Sequence, residues 1–350
     1  MIRSVLVLGT GLIGTSIALA LREHGVRVLL SDVDEESMWL ARNLGAGEPW
    51  RSGERVDLAV LGVPPQVVGE VLAGLQKEDA ARVYTDVASV KAMPVAQARA
   101  HGCDMTSFVP GHPMAGRERS GPAAARRDLF LGRPWAICPT SQTAPEALDL
   151  VRHLAALCGG KIMELGADEH DAAVALVSHV PHITAAAVAA RLAEAPEGAL
   201  GLAGQGVRDV TRIAGGDPGL WTGILAGNTR PVADVLDALC ADLAEAARAL
   251  RAGETVTDLL RRGVRGRSRI PGKHGGPAKP YTVVQVVIED IPGELARLFQ
   301  AAGEARVNIE DVVLEHSPGL PVGVAELSVR PEEAAVLAEA LRAHGWHVPK

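Results

Sequence analysis

From Ser4 the chain runs Val5-Leu6-Val7-Leu8 without a polar interruption, breaks at a cluster of glycines, and resumes as a helical stretch ending at "EHG". An unbroken apolar run of this length is the pattern of a parallel strand covered on both faces. Further strand-like runs follow at "VRVLLSD" (26–32), "DLAVLGVPP" (57–65), "RVYTDVAS" (82–89), "SFVPGHP" (107–113), "PWAICP" (134–139) and "KIMEL" (161–165). Helical stretches lie between most of them. This alternation predicts an α/β fold over residues 1–166, a doubly wound and mostly parallel sheet.

The pattern then changes. From Asp168 to about Gly253 the chain is rich in alanine and reads as helix throughout, an all-α domain over 167–260. Its longest stretch, "ADEHDAAVALVSHVPHITAAAVAARLAEA", is apolar nearly all round, as expected for a helical core or a dimer interface. Pro181 should kink it and free backbone groups near Ser178, His179 and His182. Residues 261–280 collect glycine, proline and basic side chains and read as a flexible linker. Beyond it, 281–350 reads strand, turn, helix, strand, strand, helix, with a closing strand to complete a small ferredoxin-like βαββαβ module.

Composition narrows this picture. With 350 residues, 47% of them hydrophobic, the chain can fill two or three domain cores. The net charge of −7 argues against nucleic acid as the main partner. "MIRSVLVLGTG" lacks a signal-peptide cleavage pattern, and no uninterrupted apolar run approaches 18 residues, so no membrane is expected. Cys103, Cys138, Cys158 and Cys240 are scattered without a CxxC pair, which favours reduced thiols and a cytoplasmic protein.

The glycines between the first strand and helix carry the first chemistry. Gly9, Gly11 and Gly14 form G-x-G-x-x-G, spaced for a tight turn, a close approach to a pyrophosphate, and close helix–strand packing. Leu12 and Ile13 open the helix, whose free N–H groups would face the phosphates. Asp32 ends the second strand, where a carboxylate takes the ribose hydroxyls. No arginine follows it in "DVDEES", so NAD is expected as cofactor rather than NADP. Val63, Pro64 and the 86–89 segment fall at strand ends, beside the same cleft. So does His112, in "PGHPMAG". Pro113 holds it on non-helical backbone, and a histidine beside a hydride acceptor handles the substrate's hydroxyl proton. His179 and His182 lie one turn apart, with His170 and Asp171 upstream. No third ligand has a recognisable metal spacing, and no metal is expected.

Five segments occur in order: "GTGLIGTS", "DVASVK", "GHPMAGRERSG", "SHVPH" and "RDVTRIAGGDPGLW". Together they resemble the prephenate/arogenate dehydrogenase family of tyrosine biosynthesis. The tail, with "DIPGEL" and "VNIEDV", resembles an ACT domain, a module that commonly binds amino acids. The resemblance implies a Rossmann domain, a helical dimerisation domain, a homodimer, and NAD-dependent oxidative decarboxylation of prephenate to 4-hydroxyphenylpyruvate. It implies that His112 accepts the ring hydroxyl proton and that Ser89 hydrogen-bonds near it. Ser178, His182 and Arg212 match the substrate-binding positions, and Glu118 and Asp209 are candidates to pair with Arg212 and gate access. At the ACT module Asp290, Gly293 and Asn308 are the expected contacts for an amino-acid effector, with tyrosine as first choice. Thr15 stands where the family often has glycine. Arogenate as substrate and a non-catalytic, NAD-sensing regulator stay open beside prephenate. A β-hydroxyacid dehydrogenase, which uses a lysine on the long helix, does not fit, because no lysine occurs between Lys161 and Lys273.

Overall fold

The computed structural model describes residues 1–116, 120–271, 280–316 and 321–349. It divides into two compact units, Met1–Ala241 and Asp242–Lys350.

The first unit opens with the expected nucleotide fold. Strands β1 (Ser4–Leu8), β2 (Arg27–Ser31), β3 (Glu48–Pro49), β4 (Val56–Leu61) and β5 (Ala81–Asp86) form one parallel sheet in the order β3-β2-β1-β4-β5. Successive side chains of a strand point to opposite faces, and both faces are covered. Val5, Val7, Val28, Leu30, Leu58 and Val60 pack against Ile17 and Leu21 of α1 (Leu12–Glu23). On the other face Leu6, Leu29, Ala59 and Leu61 meet Val68, Leu72 and Leu75 of α3 (Val68–Lys77), the helix that follows α2 (Glu35–Asn43) in the chain. Helices on both faces make the sheet doubly wound. Helix α4 (Ala92–Ala100) adds Val95 and Ala98 to the second core.

The later strand-like runs do not extend this sheet. Residues 107–109 run parallel to β5 through a single pair, Tyr84 with Phe108. The chain then leaves: Pro110 has no N–H to continue the ladder. It enters a second, mixed sheet of β6 (Gly111–Pro113), β7 (Pro134–Ile137) and β8 (Lys161–Glu164), in which β6 is antiparallel to β7. The expected strand over 107–113 is therefore two short pieces on two sheets. Helix α5 (Pro145–Leu157) and Trp135 of β7 join the first core.

The helical part begins at α6 (Ala167–Val174). It passes through a π turn at Ala175–His179 and continues as α7 (Val180–Leu192). Pro181 is the cause. Without an N–H and with a ring that clashes one turn back, it is accommodated by a wider turn rather than by a break. The whole run, Ala167–Leu192, is long and apolar enough to cross a membrane by length and composition, its most apolar 18-residue window having mean hydropathy 1.6. His170, Asp171 and His179 of this run, however, are buried in the network described below. Then follow α8 (Glu197–Leu200), α9 (Gln205–Thr211), a 3₁₀ turn at Arg212–Gly215, α10 (Pro218–Ala226) and α11 (Thr229–Arg251). Asp217 caps α10 by accepting from the Leu220 N–H at 2.7 Å. Val232 of α11 packs on Ala175 and Val180.

In the second unit α12 (Thr257–Ser268) covers the first half of the stretch expected to be a flexible linker. Arg262 pairs there with Asp258 one turn back and with Asp242 of α11, support for a helix that the glycine and proline content of 261–280 obscured. Residues 272–279 lie outside the described residues. The tail forms β9 (Thr282–Glu289), α13 (Glu294–Glu304), β10 (Asp311–His316), β11 (Val322–Val329) and α14 (Pro331–Ala343). Its antiparallel sheet has the order β10-β11-β9. The expected closing strand is reduced to one pair, Val287 with His347. Val286, Ala325 and Leu327 of the sheet bury Leu298 of α13 and Leu337 and Leu341 of α14.

Candidate active site

The site lies where the parallel strands end. At the end of β1, Gly9 has φ +88°, and a Cβ there would stand 2.2 Å from the Gly62 carbonyl oxygen. A Cβ on Gly14 would stand 1.9 Å from the Gly9 carbonyl oxygen. Both glycines are demanded by the protein's own packing. Gly11 differs: its Cβ would meet nothing within 4 Å. It caps α1, and its lack of a side chain leaves the helix N-terminus open for the close approach of a phosphate. Leu12 and Ile13 form the first helical turn behind it. Thr15 turns its hydroxyl inward and donates to the Thr10 carbonyl at 2.7 Å.

Asp32 is already engaged. One carboxylate oxygen accepts from the Thr10 N–H at 2.5 Å and from the Thr10 hydroxyl at 2.7 Å; the other accepts from the Asp34 N–H at 2.9 Å. The expected ribose acceptor is thus also the brace of the glycine loop. Val63 and Pro64 follow β4, and Pro64 caps a short 3₁₀ turn. The Gln66 amide in that turn donates to the Gly223 carbonyl of α10 at 2.7 Å, tying the helical part to this end of the sheet.

His112, on β6, has its Nδ1 2.9 Å from Nε2 of His170. His170 Nδ1 lies 2.8 Å from Oδ1 of Asp171. Asp171 is buried and accepts two further bonds, from the N–H of Lys91 at 2.8 Å and of Ala92 at 2.9 Å. Its two oxygens thus act as acceptors toward three neighbours. That fixes the protons along the chain: His170 carries its hydrogen on Nδ1, its Nε2 accepts from Nδ1–H of His112, and Nε2 of His112 is left as an acceptor. Burial, then the neighbouring His170, Lys91 and His179, hold the His112 imidazole well below its ordinary range, so it is neutral at pH 7.

A second branch starts from the same aspartate. The buried Asn228 amide donates to the Asp171 carbonyl at 2.7 Å, and its nitrogen lies 3.1 Å from His179 Nδ1. His182 points elsewhere and stacks on Trp221, ring centroids 3.6 Å apart and 11° from parallel. Gly216 makes room for this stack, since a Cβ there would stand 2.6 Å from the indole nitrogen and 3.0 Å from His182. His179 meets the same Trp221 ring edge-on, with centroids 6.2 Å apart.

Ser178 sits half-buried on the π turn. Arg212 is exposed and begins the 3₁₀ turn that packs on α7. Ser89 is half-buried in the loop after β5, two residues before Lys91, with no hydrogen bond to His112. Asp209 accepts from the Gln205 amide at 2.8 Å; Glu118, its expected fellow gate, lies outside the described residues. Nothing in the local sequence joins His170 and Asp171 to His112 or singles out Lys91, Asn228 and Trp221, although Asp86 falls at a strand end beside the cleft. "DVASVK" does contain Asp86 and Lys91, and "EHD" at the start of the long helix places a histidine beside a carboxylate.

Comparison with known proteins adds to this geometry. Residues 17–164 match the family described as prephenate dehydrogenase, nucleotide-binding domain, and residues 166–264 match its dimerization domain. A probable prephenate dehydrogenase of Streptomyces niveus is 40% identical over 98% of this chain and 99% of its own length. The chain belongs to the prephenate dehydrogenase family. Prephenate dehydrogenase of Bacillus subtilis is 28% identical over 88% of this chain and 87% of its own. Among solved structures, prephenate dehydrogenase from A. aeolicus, in complex with hydroxyphenyl propionate and NAD+, is 28% identical with a TM-score of 0.69, covering 77% of this chain and 99% of that one. Synechocystis arogenate dehydrogenase is 28% identical with a TM-score of 0.64, covering 75% and 98%. This family member keeps the Rossmann-like sheet and helical domain of those enzymes.

Proposed function

We propose that this enzyme oxidises prephenate to 4-hydroxyphenylpyruvate and CO₂ with NAD, and that His112 is its base. The observation that carries the role is the His112–His170–Asp171 chain, which leaves Nε2 of a neutral His112 as an acceptor. NAD supplies the hydride acceptor when bound, and Gly11, open where Gly9 and Gly14 are packed, fits its pyrophosphate. His112 takes the ring hydroxyl proton as the carbon beneath it is oxidised to the ketone level. The ring carboxylate then leaves as CO₂, its bonding electrons aromatise the ring, and the proton returns from His112 to the phenolate oxygen. Through both transfers Asp171 stabilises the imidazolium by way of His170. Ser89 orients the hydroxyl. Ser178, His182 on its Trp221 platform and the Arg212 guanidinium hold the substrate carboxylates. His112→Asn should lower kcat by roughly 10² to 10⁴ with little change in substrate KM; a near-normal kcat would remove His112 from the role. Arogenate differs only in the side-chain amino group, and a paired kinetic assay distinguishes the two substrates.

The family's dimerization domain, at 166–264, supports a homodimer of this chain. Leu176 and Val177, 61% and 65% exposed on the apolar run, are the residues a second copy would cover. A cytoplasmic setting fits four free cysteines, two of them buried thiols that desolvation pushes up to about 12. For the tail we propose a ferredoxin-like ACT module that senses tyrosine. Its support is the strand order β10-β11-β9, with His347 paired on the free edge of β9 and both helices on one face. The turn after β9 holds Asp290, whose N–H donates to the Pro321 carbonyl at 3.0 Å, and Gly293 at φ +92°. Asn308 donates to Glu310 at 3.0 Å, so its amide is oriented within the module. A chain ending at Arg269 should keep activity and lose inhibition by tyrosine; equal inhibition of that chain would place the regulator elsewhere.

A further inference from the structure

Lys91 and Asp86 are fully buried and form an ion pair. Burying two charges is costly unless geometry and extra hydrogen bonds repay it, so such a pair has to be asked what it holds. It holds one residue from both sides. The Lys91 ammonium donates to the Gly111 carbonyl at 2.7 Å, and Asp86 Oδ1 accepts from the Gly111 N–H at 3.1 Å. Gly111 immediately precedes His112. Its own packing leaves little slack: a Cβ there would stand 3.1 Å from the Asp86 carbonyl, 3.2 Å from the Thr85 hydroxyl and 3.4 Å from the Trp135 indole nitrogen. The main chain of Lys91 meanwhile donates to Asp171, the far end of the histidine chain.

We propose that the Lys91–Asp86 pair is the positioning device of the active site: its side chains clamp the backbone under His112 while the Lys91 N–H anchors Asp171, so that both ends of the His112–His170–Asp171 chain are set from one residue. This rests on His112 being the base. The clamp also brings a fixed positive charge near the imidazole. The groups that face His112 are Lys91 from the loop before α4, His170 from α6 and His179 from the π turn. Lys91 therefore both aims the base and opposes its protonation.

Two perturbations separate aim from charge. The double variant Lys91→Met with Asp86→Asn removes both charges and leaves none uncompensated, and the asparagine oxygen still accepts from Gly111. Its kcat should fall at least about tenfold, with NAD affinity and substrate KM within about twofold of wild type. The acid limb of its kcat/KM profile should move toward neutral pH, because the cation opposing His112 protonation is gone. Gly111→Ala leaves the charges in place and displaces the backbone by a few tenths of an ångström. Its kcat should fall severalfold with the acid limb unmoved. Wild-type kcat in a folded double variant, or in Gly111→Ala, overturns the clamp. Should the double variant not fold, Gly111→Ala alone decides the matter. If His112→Asn itself retains full activity, the base assignment fails; if His112→Asn is inactive and both clamp variants are normal, the clamp alone fails.

Discussion

Asp171→Asn is nearly isosteric, yet it should disable much of the catalytic chain. Asp171 Oδ1 takes two donors, the Lys91 N–H and His170 Nδ1–H, and Oδ2 takes one, the Ala92 N–H. The asparagine carbonyl will keep the side with two donors, so its NH₂ faces the Ala92 N–H. The tautomers of His170 and His112 then survive, but the charge behind them does not. A hydrogen bond to a charged group contributes about 1.5–3 kcal/mol and a neutral one about 0.5–1.5. The difference, about 1–2 kcal/mol, acts when His112 becomes an imidazolium. At about 1.4 kcal/mol per decade this lowers kcat roughly 5- to 30-fold. The unpaired Ala92 N–H costs about 1–3 kcal/mol of stability, or about 2–12 °C in Tm for a unit of this size. Asp171 is 2% exposed and cannot touch substrate, so KM should stay put. The assay is NADH absorbance at 340 nm under saturating NAD and substrate at 25 °C, beside a calorimetric Tm. A folded variant with kcat within twofold of wild type, or one that changes only KM, would refute the reasoning.

Burial holds His179 at about 4, below its ordinary 6.5; the unfolded chain therefore binds a proton first, and stability present above pH 6.5 falls as pH drops toward 4, by about 3 kcal/mol from this group. Denaturant titrations at pH 7 and pH 4 should show that loss, and His179→Asn should shrink it; an unchanged loss contradicts the assignment. Gly11→Ala should raise the NAD Kd about tenfold or more with Tm unchanged, whereas Gly14→Ala should lower Tm by several degrees, because only the second Cβ collides with the chain itself. Equal Tm losses would mean that Gly11 serves packing. Arg212→Ala should raise substrate KM roughly tenfold or more with kcat little changed, and Arg212→Lys should recover only part, since an ammonium lacks the paired fork; unchanged KM in both makes Arg212 structural.

What the sequence makes legible is what local pattern determines. The apolar runs of β1, β2, β4 and β5 and the glycine spacing before α1 lie within single elements, and they predict the parallel sheet and its phosphate loop. The departure of the chain at Pro110 into a second sheet depends on which partner takes Gly111, and no local pattern carries that. Pro181 marked the position of a distortion, but whether a helix answers by kinking or by a π turn is decided by what packs on it. The histidine chain was hidden for the same reason. His112 and His170 are 58 residues apart and meet only in the fold. Asp32 shows a different limit: the apolar run of β2 puts it at the end of the strand, while its bonds to Thr10 belong to a loop whose shape no local pattern carries.

The central claim is tested most directly by mixing the purified chain with NAD and prephenate and following absorbance at 340 nm together with released CO₂. The account predicts NADH and CO₂ in a one-to-one ratio, with the rate lost in His112→Asn while NAD still binds. NAD binding without NADH formation from either prephenate or arogenate, or NADH formation that is indifferent to His112, would contradict it.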